Sequence, residues 1–139
     1  MAQTLEIPIQ KRFSDVDSFM HVNNVAQQMY FDLGKTDYYQ RILHETGITG
    51  RARVITVSTT TSYLQQIRMD DNLFVTTTAE QIGTKSIHLL QRLICRNGDK
   101  ESIHSESRSV MVAFDFDRQL SFPVPEEWRA KMLSDEIQK

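Results

Sequence analysis

The stretch Arg12-Phe13-Ser14-Asp15-Val16-Asp17-Ser18-Phe19-Met20-His21-Val22-Asn23-Asn24-Val25-Ala26-Gln27-Gln28-Met29-Tyr30-Phe31 decides how the rest of the chain is read. Asp15 and Asp17 are separated by one residue, His21 follows, and Asn23-Asn24 precede a proline-free run from Val25 to His44. Asn is a favoured N-cap because its side-chain oxygen accepts from the free amides of the first helical turn. The segment predicts a strand end, an acidic loop and a helix N-terminus meeting at one spot. The amides at a helix start carry about half a positive charge and attract anions. They can also hold a developing oxyanion, where losing one donor costs roughly 3–4 kcal/mol of barrier. A carboxylate just upstream can activate water or attack a carbonyl itself. These are the parts acyl transfer needs. Spacing alone leaves a second reading open, because Asp-x-Asp before a helix also serves as turn chemistry and dipole complementation.

Upstream, Leu5, Ile7 and Ile9 alternate with Glu6, Pro8 and Gln10, which is strand periodicity. Pro8 cannot donate to a ladder, so this strand is expected at a sheet edge or at a bulge. Downstream, the helix is expected from Asn24 to about His44, with Gly47 as its stop. Val25, Met29, Leu33 and Thr36 share one face and are expected in the core. Gly34 costs about 1 kcal/mol against Ala inside a helix, which close approach of a strand would explain.

The remainder reads as strands and turns. Arg53–Gln66 is rich in β-branched residues and contains the hydroxyl run Ser58-Thr59-Thr60-Thr61-Ser62. Arg68–Asn72 is a turn, Leu73–Ile82 a second long strand, and Ser86–Arg96 a third. Asn97-Gly98-Asp99 is a hairpin turn before a fourth, Lys100–Phe116, with Val110, Val112 and Phe114 on one face. Pro123 and Pro125 break the chain, and Glu126-Glu127-Trp128-Arg129 opens a short helix, acidic at its start. One helix followed by a meander indicates α+β: an antiparallel sheet with a helix against one face.

The bounds agree with this. A chain of 139 residues fits one domain, 1–139, and can bury roughly two-thirds of its unfolded surface without a disulfide or metal. Net charge is −2, which offers no global basic field for nucleic acid. The single cysteine, Cys95, excludes an intrachain disulfide and multi-cysteine metal sites, and is expected as a small buried hydrophobe. His88 and His104 lie too far apart in sequence to suggest a metal site. No apolar run reaches the ~18 residues that span a bilayer, and the first residues do not resemble a signal peptide. The expectation is a cytoplasmic protein. Phosphate-loop, nucleophile-elbow and dinucleotide motifs are absent.

Arg12, Asp15, Asp17 and His21-Val22-Asn23-Asn24, followed by a helix carrying Tyr30-Phe31, resemble the signature of hot-dog-fold acyl-CoA thioesterases related to 4-hydroxybenzoyl-CoA thioesterase. The similarity runs from about Leu5 to about Met132. Met20 replaces the family's usual Gly, and Gln27 stands where Tyr is common. If that Gly takes a positive φ, Met20 is strained or the loop moves.

The resemblance implies a curved antiparallel sheet wrapped around one long helix and hydrolysis of a thioester, with no cofactor and no metal. It makes Asp17 the base or nucleophile and the Asn24 amide the oxyanion donor; Asp15 is then read as a structural carboxylate that hydrogen-bonds the loop, with Arg12 as its expected partner. His21 and Asn23 would line the active-site loop, Thr60 the substrate channel, and Lys85 and Ser86 the contact with CoA phosphates. A solvated or intersubunit strand face is the alternative for Thr60, and a solvated turn lysine the alternative for Lys85. Related proteins form dimers or tetramers with the site at the dimer interface, so a homodimer or homotetramer is expected. The rival readings are an acyl-carrier-protein thioesterase docking through Arg51, Arg53 and Arg68, a non-catalytic acyl-CoA binder on the same fold, and a dehydratase.

Overall fold

The computed structural model describes residues 2–44 and 52–134. Its elements are β1 (Thr4–Pro8), a 3-10 turn (Phe13–Asp15), α1 (Asn24–Leu43), β2 (Ala52–Tyr63), β3 (Leu73–Ile82), β4 (Ser86–Asn97), β5 (Lys100–Asp115), β6 (Leu120–Ser121) and α2 (Glu126–Met132). The strands run antiparallel in the order β1-β3-β4-β5-β2, with β6 on β5. α1 packs across this sheet, touching β1, β3 and β4, and α2 packs on α1. This is the expected α+β hot-dog arrangement.

Pro8 closes β1, which is an edge strand paired only to β3, so its missing amide costs no interior ladder bond. β2 forms the opposite edge and ends at Tyr63, short of the expected Gln66. His44 ends α1 in the left-handed region at φ 58°, its amide bonded to the Gln40 carbonyl, while the expected stop at Gly47 lies outside the described residues.

The helix face is rotated from expectation. Val25, Met29 and Leu33 are 73%, 46% and 54% exposed, and Thr36 is exposed as well. The buried face is Ala26, Gln27, Tyr30, Phe31, Gly34, Lys35, Tyr38, Ile42 and Leu43. It lies one position later and carries two polar residues and a glycine, so hydropathy alone points to the wrong stripe.

The core divides into two apolar clusters. One, around Val22, Tyr30, Phe31, Ile67, Leu73 and Leu93, lies beside the acidic loop. The other, around Tyr38, Ile42, Leu89, Met111, Trp128 and Met132, lies beside α2. The inward rows also contain buried polar residues: Thr77 of β3, Gln91 of β4, and Ser105, Ser107 and Ser109 of β5. On β5 the Val110, Val112 and Phe114 row is only half-buried, and its neighbours Met111 and Ala113 are the buried ones.

Gly34 sits where α1 comes closest to the sheet. A Cβ built there would meet Gln91 Nε2 at 2.8 Å, and Thr77 Oγ1 and Val75 Cγ2 at 3.0 Å. Gln91 cannot easily swing away, because Nε2 donates to the Phe31 carbonyl at 2.8 Å and to Thr77 Oγ1 at 3.0 Å. Alanine would gain about 1 kcal/mol of helix propensity but overpack a dense interior at a cost of about 1–3 kcal/mol. Gly34→Ala is therefore expected to lower stability by about 1–2 kcal/mol, read as a lower urea midpoint at unchanged m. A raised midpoint would mean that the helix can lift from the sheet.

Candidate active site

Asn23 caps α1 as expected. It has extended backbone geometry (φ −76°, ψ 164°), and its side-chain oxygen accepts from the Ala26 amide at 2.7 Å. Its own amide donates to the Asp15 carbonyl at 2.9 Å, tying the helix start to the acidic loop. The Gln27 amide takes the Asn23 carbonyl at 3.1 Å. The amides of Asn24 and Val25 open the helix, where no carbonyl of the helix lies four positions back to receive them.

Asp15 and Asp17 occupy opposite environments. Asp15 is 2% exposed, with Tyr30 Oη donating to it at 2.6 Å and the Arg12 amide at 3.0 Å. The Arg12 guanidinium adds Nε at 3.1 Å and a second nitrogen at 2.9 Å. Burial pushes the Asp15 carboxyl up. The Tyr30 hydroxyl, the Arg12 amide and the Arg12 charge outweigh it and hold the group below the ordinary carboxylate range. The same burial and the Asp15 charge push the Tyr30 phenol well above its usual value. Asp15 thus fixes the loop to the helix, as expected for a structural carboxylate.

Asp17 is exposed in the single chain. Its Oδ1 accepts from the amides of Phe19 at 2.9 Å and His21 at 3.4 Å. Its backbone closes the loop, with the Asp17 amide on the His21 carbonyl at 2.9 Å and the Met20 amide on the Asp17 carbonyl at 3.0 Å. A bridge between Val16 and Val22 seals the base. Among the described residues Oδ2 has no hydrogen-bond partner. Met20 stands at φ 66°, the left-handed conformation that Gly adopts freely and Met does not. The loop therefore keeps the conformation that a Gly would favour and holds Met20 in strain.

A cleft of about 480 Å³ opens at this point, lined by Asp17, Phe19, His21, Val22, Asn23, Asn24, Val25 and Gln27 on one side and by Tyr63–Gln66 on the other. It brings together four of the expected site residues: Asp17, His21, Asn23 and Asn24. The His21 ring has no hydrogen bond among the described residues, so both nitrogens are available to a ligand.

Thr60, Lys85 and Ser86 are not in it. Thr61 faces α1, bonded to Ser107 Oγ at 3.0 Å and to Gln28 Nε2 at 2.9 Å, so strand alternation turns Thr60 to the other face. The hydroxyl beside the helix is therefore Thr61, one position later than expected. Lys85 and Ser86 lie at the β3–β4 hairpin, where Ser86 pairs with Val112. That hairpin is a full strand length of β3 from Leu73, whose carbonyl holds the Ile9 amide at the loop end.

Gln27, Tyr63 and Leu64–Gln66 line the cleft but escaped sequence reasoning. Gln27 is buried, and Ser105 Oγ donates to its side-chain oxygen. Gln28 Nε2 also donates to Tyr63 Oη at 3.0 Å. Leu64–Gln66 form the far wall. The adjacent glutamines on an otherwise apolar helix start were the available signal. The docking arginines Arg51 and Arg53 cannot be placed: Arg51 lies outside the described residues, as does the side chain of Arg53. Arg68 is exposed.

A long helix laid on an antiparallel sheet, with a capped helix start facing an acidic loop, defines the class as hot-dog-fold hydrolases of thioesters. The chain belongs to the thioesterase-like superfamily, which it matches over residues 12–132. No curated protein sequence matches it significantly. Among solved structures it is similar to a predicted thioesterase from Bacillus stearothermophilus (23% identity, 96% of this chain and 99% of that one, TM-score 0.82). It is also similar to a thioesterase from Thermus thermophilus complexed with coenzyme A and Zn (24%, 93% and 97%, TM-score 0.81). A third is an Asp-to-Asn mutant of 4-hydroxybenzoyl-CoA thioesterase complexed with 4-hydroxybenzoyl-CoA (16%, 94% and 99%, TM-score 0.84).

Asp15 gives a pH test of the loop. Its folded carboxyl titrates below the usual 3.8, so its contribution to stability is present above that value and is lost as pH falls through the folded pKa. Asp15→Asn is expected to destabilise the protein at pH 7 by about 1.5–3 kcal/mol, with the gap to wild type closing below about pH 4. Thermal melts of both proteins across that range check it. A gap independent of pH would mean that the Asp15 charge is not what holds the loop.

Proposed function

We propose that the chain is an acyl-CoA thioesterase whose reacting carboxylate is Asp17. The observation that carries this reading is the split of Asp17's two oxygens beside a helix start. Oδ1 is fixed by two amides while Oδ2 is unengaged, in the cleft that Asn24 also lines. Oδ2 takes a proton from water as that water attacks the thioester carbonyl, or attacks the carbonyl directly to form an anhydride that water then opens. The Asn24 amide receives the negative charge that develops on the carbonyl oxygen. The C–S bond breaks and CoA leaves as a thiolate, which needs little help from a general acid. His21 and Asn23 contact the substrate and hold the loop.

The outer edge of β2, unpaired among the described residues, supports a homodimer. Across a two-fold axis at mid-β2, antiparallel pairing reverses the strand, so the Val54 end of one chain lies against the Tyr63 end of the other. Lys85 and Ser86 are level with Val112 and Val54–Ile55 through β5. The reversal carries a partner's Lys85 and Ser86 toward this cleft, where the lysine would meet CoA phosphates as a point charge.

Asp17→Asn should lower hydrolysis by at least about 100-fold. The assay follows free thiol on short, medium and long aliphatic, benzoyl and phenylacetyl CoA esters, with the melting temperature unchanged because an Asn side-chain oxygen can still accept from the Phe19 and His21 amides. Activity unaffected by the change would move the chemistry away from Asp17. Binding of a CoA ester without turnover by wild type would make the chain a binder. Val57 is 56% exposed at the bulge of edge strand β2. Val57→Lys should shift the dimer toward monomer in sedimentation and lower activity with it. A fully active monomer would refute the shared site.

A further inference from the structure

Three potential ligands that the cleft does not use are gathered behind its far wall. The ligand atoms of Asp71, Cys95 and His104 all lie within 4.8 Å of one another. They come from three separate elements. Cys95 points inward from β4 and is 3% exposed. His104 is the extra residue of a β-bulge, since Ser105 pairs with Leu93 and Ile103 with Ile94. The bulge turns His104 inward beside Ser105, where regular alternation would have turned one of them out. Asp71 closes the turn after Ile67, its Oδ2 accepting the Arg68 amide at 2.7 Å.

We propose that Asp71, Cys95 and His104 form a zinc-class divalent cation site that clamps the Leu64–Asn72 segment, and with it the wall of the cleft, onto β4 and β5. One thiolate, one imidazole and one carboxylate form the mixed donor set that a borderline-soft tetrahedral ion takes, with water in the fourth position. Bond lengths of ~2.0–2.3 Å place such donors roughly 3.3–3.7 Å apart, so closure asks for side-chain shifts of about 1 Å.

The surroundings of His104 supply a second, independent observation. Its Nδ1 lies 2.9 Å from the Gln66 carbonyl, which can only accept, so Nδ1 carries the proton and Nε2 presents its lone pair. A ligating histidine that donates its other nitrogen to a backbone carbonyl is the usual outer-shell arrangement of a metal centre. Ser102 Oγ, 3.0 Å from Nε2, is the group that must turn aside.

Cys95 is a thiol until a cation arrives. Burial and the Asp71 charge push it up to about 11, and the Lys11 ammonium works the other way. Coordination breaks the S–H bond, forms the S–metal bond and sends the proton to solvent. Lys11 also binds the Asp71 carbonyl, so it holds the turn without occupying the carboxylate.

Binding would add a cross-link to a wall that is already tied by backbone hydrogen bonds to β5 and to the acidic loop. The amides of Leu64 and Gln65 donate to the His104 carbonyl at 2.9 and 3.0 Å. The Val22 amide of the catalytic loop donates to the Ile67 carbonyl at 2.7 Å. A cation on His104 and Asp71 therefore acts on both sides of the cleft through the backbone.

The test is titration of the chelator-treated full chain with Co²⁺ and then Zn²⁺. Wild type should bind Co²⁺ with a thiolate-to-metal charge-transfer band that Zn²⁺ abolishes, and Zn²⁺ should raise its melting temperature. Cys95→Ser should lose the band. Asp71→Asn, whose amide oxygen can still receive the Arg68 amide, should weaken Zn²⁺ at least about tenfold with the turn intact. A wild type without the thiolate band would overturn the proposal, as would a band that survives Cys95→Ser or Zn²⁺ affinity unchanged in Asp71→Asn. None of these readouts depends on the acyl-CoA reading, so the two can fail separately.

Discussion

Gln91 Nε2 reaches out of the sheet to the carbonyl of Phe31 in the middle of α1, and it can do so only because Gly34 has no side chain. That contact fixes the distance between helix and sheet, and most of the architecture follows from it. A closely seated helix aligns Tyr30 with Asp15, and so brings the acidic loop to the helix start. Gln91 gives up something for this role. Its side-chain oxygen is buried and unpaired among the described residues, which costs on the order of 1–3 kcal/mol. An apolar residue would avoid that cost but could not hold the helix carbonyl.

From that seating, the two aspartates of the loop acquire different chemistry through environment alone. Asp15 is surrounded by donors and buried, so its charge is spent on structure. Asp17, two positions on, keeps one oxygen for the loop amides and one for solvent. The strained Met20 belongs to the same arrangement. Its left-handed backbone lets the loop turn within Asp17–His21, which aims both the Phe19 and His21 amides at Oδ1. A looser loop would free Met20 but lose the fixed oxygen.

Much of this was legible in the residues. Strand alternation and turn residues located β1, β3, β4, β5 and both helices to within a few positions, because each element's period and breakers agree. The Asn23 cap, the Asp15–Arg12 pair and the close approach at Gly34 were also readable, since each rests on local chemistry. Three features were not. The helix face was misread because its buried side carries Gln27, Gly34 and Lys35: Gln27 is satisfied by Ser105 on β5, Gly34 is required by the approach of β3 and β4, and Lys35 is paired with Asp32 on the helix itself. The hydroxyl run of β2 could not be phased, because consecutive threonines have no hydropathy alternation, and the bulge between Thr56 and Ser58 shifts the register. The cluster of Asp71, Cys95 and His104 was invisible for the same reason: a bulge, not spacing, brings His104 inward.

The misread stripe and the distance of Lys85 and Ser86 from the cleft point to one property of the fold. A chain that exposes Val25, Met29 and Leu33 on its long helix, and an unpaired strand at its sheet edge, leaves apolar area and backbone donors open together. The two ends of the sheet divide the expected site between them, the carboxylate and helix amides at one end and Lys85 at the other. A strand is too long and too stiff for one chain to bring those ends together. Antiparallel edge pairing is the simplest operation that does, because it places unlike ends side by side without bending either sheet. Under the proposed pairing, the polarity of β2 would couple assembly to chemistry, because the same strand that joins the two chains sets which ends of their sheets meet.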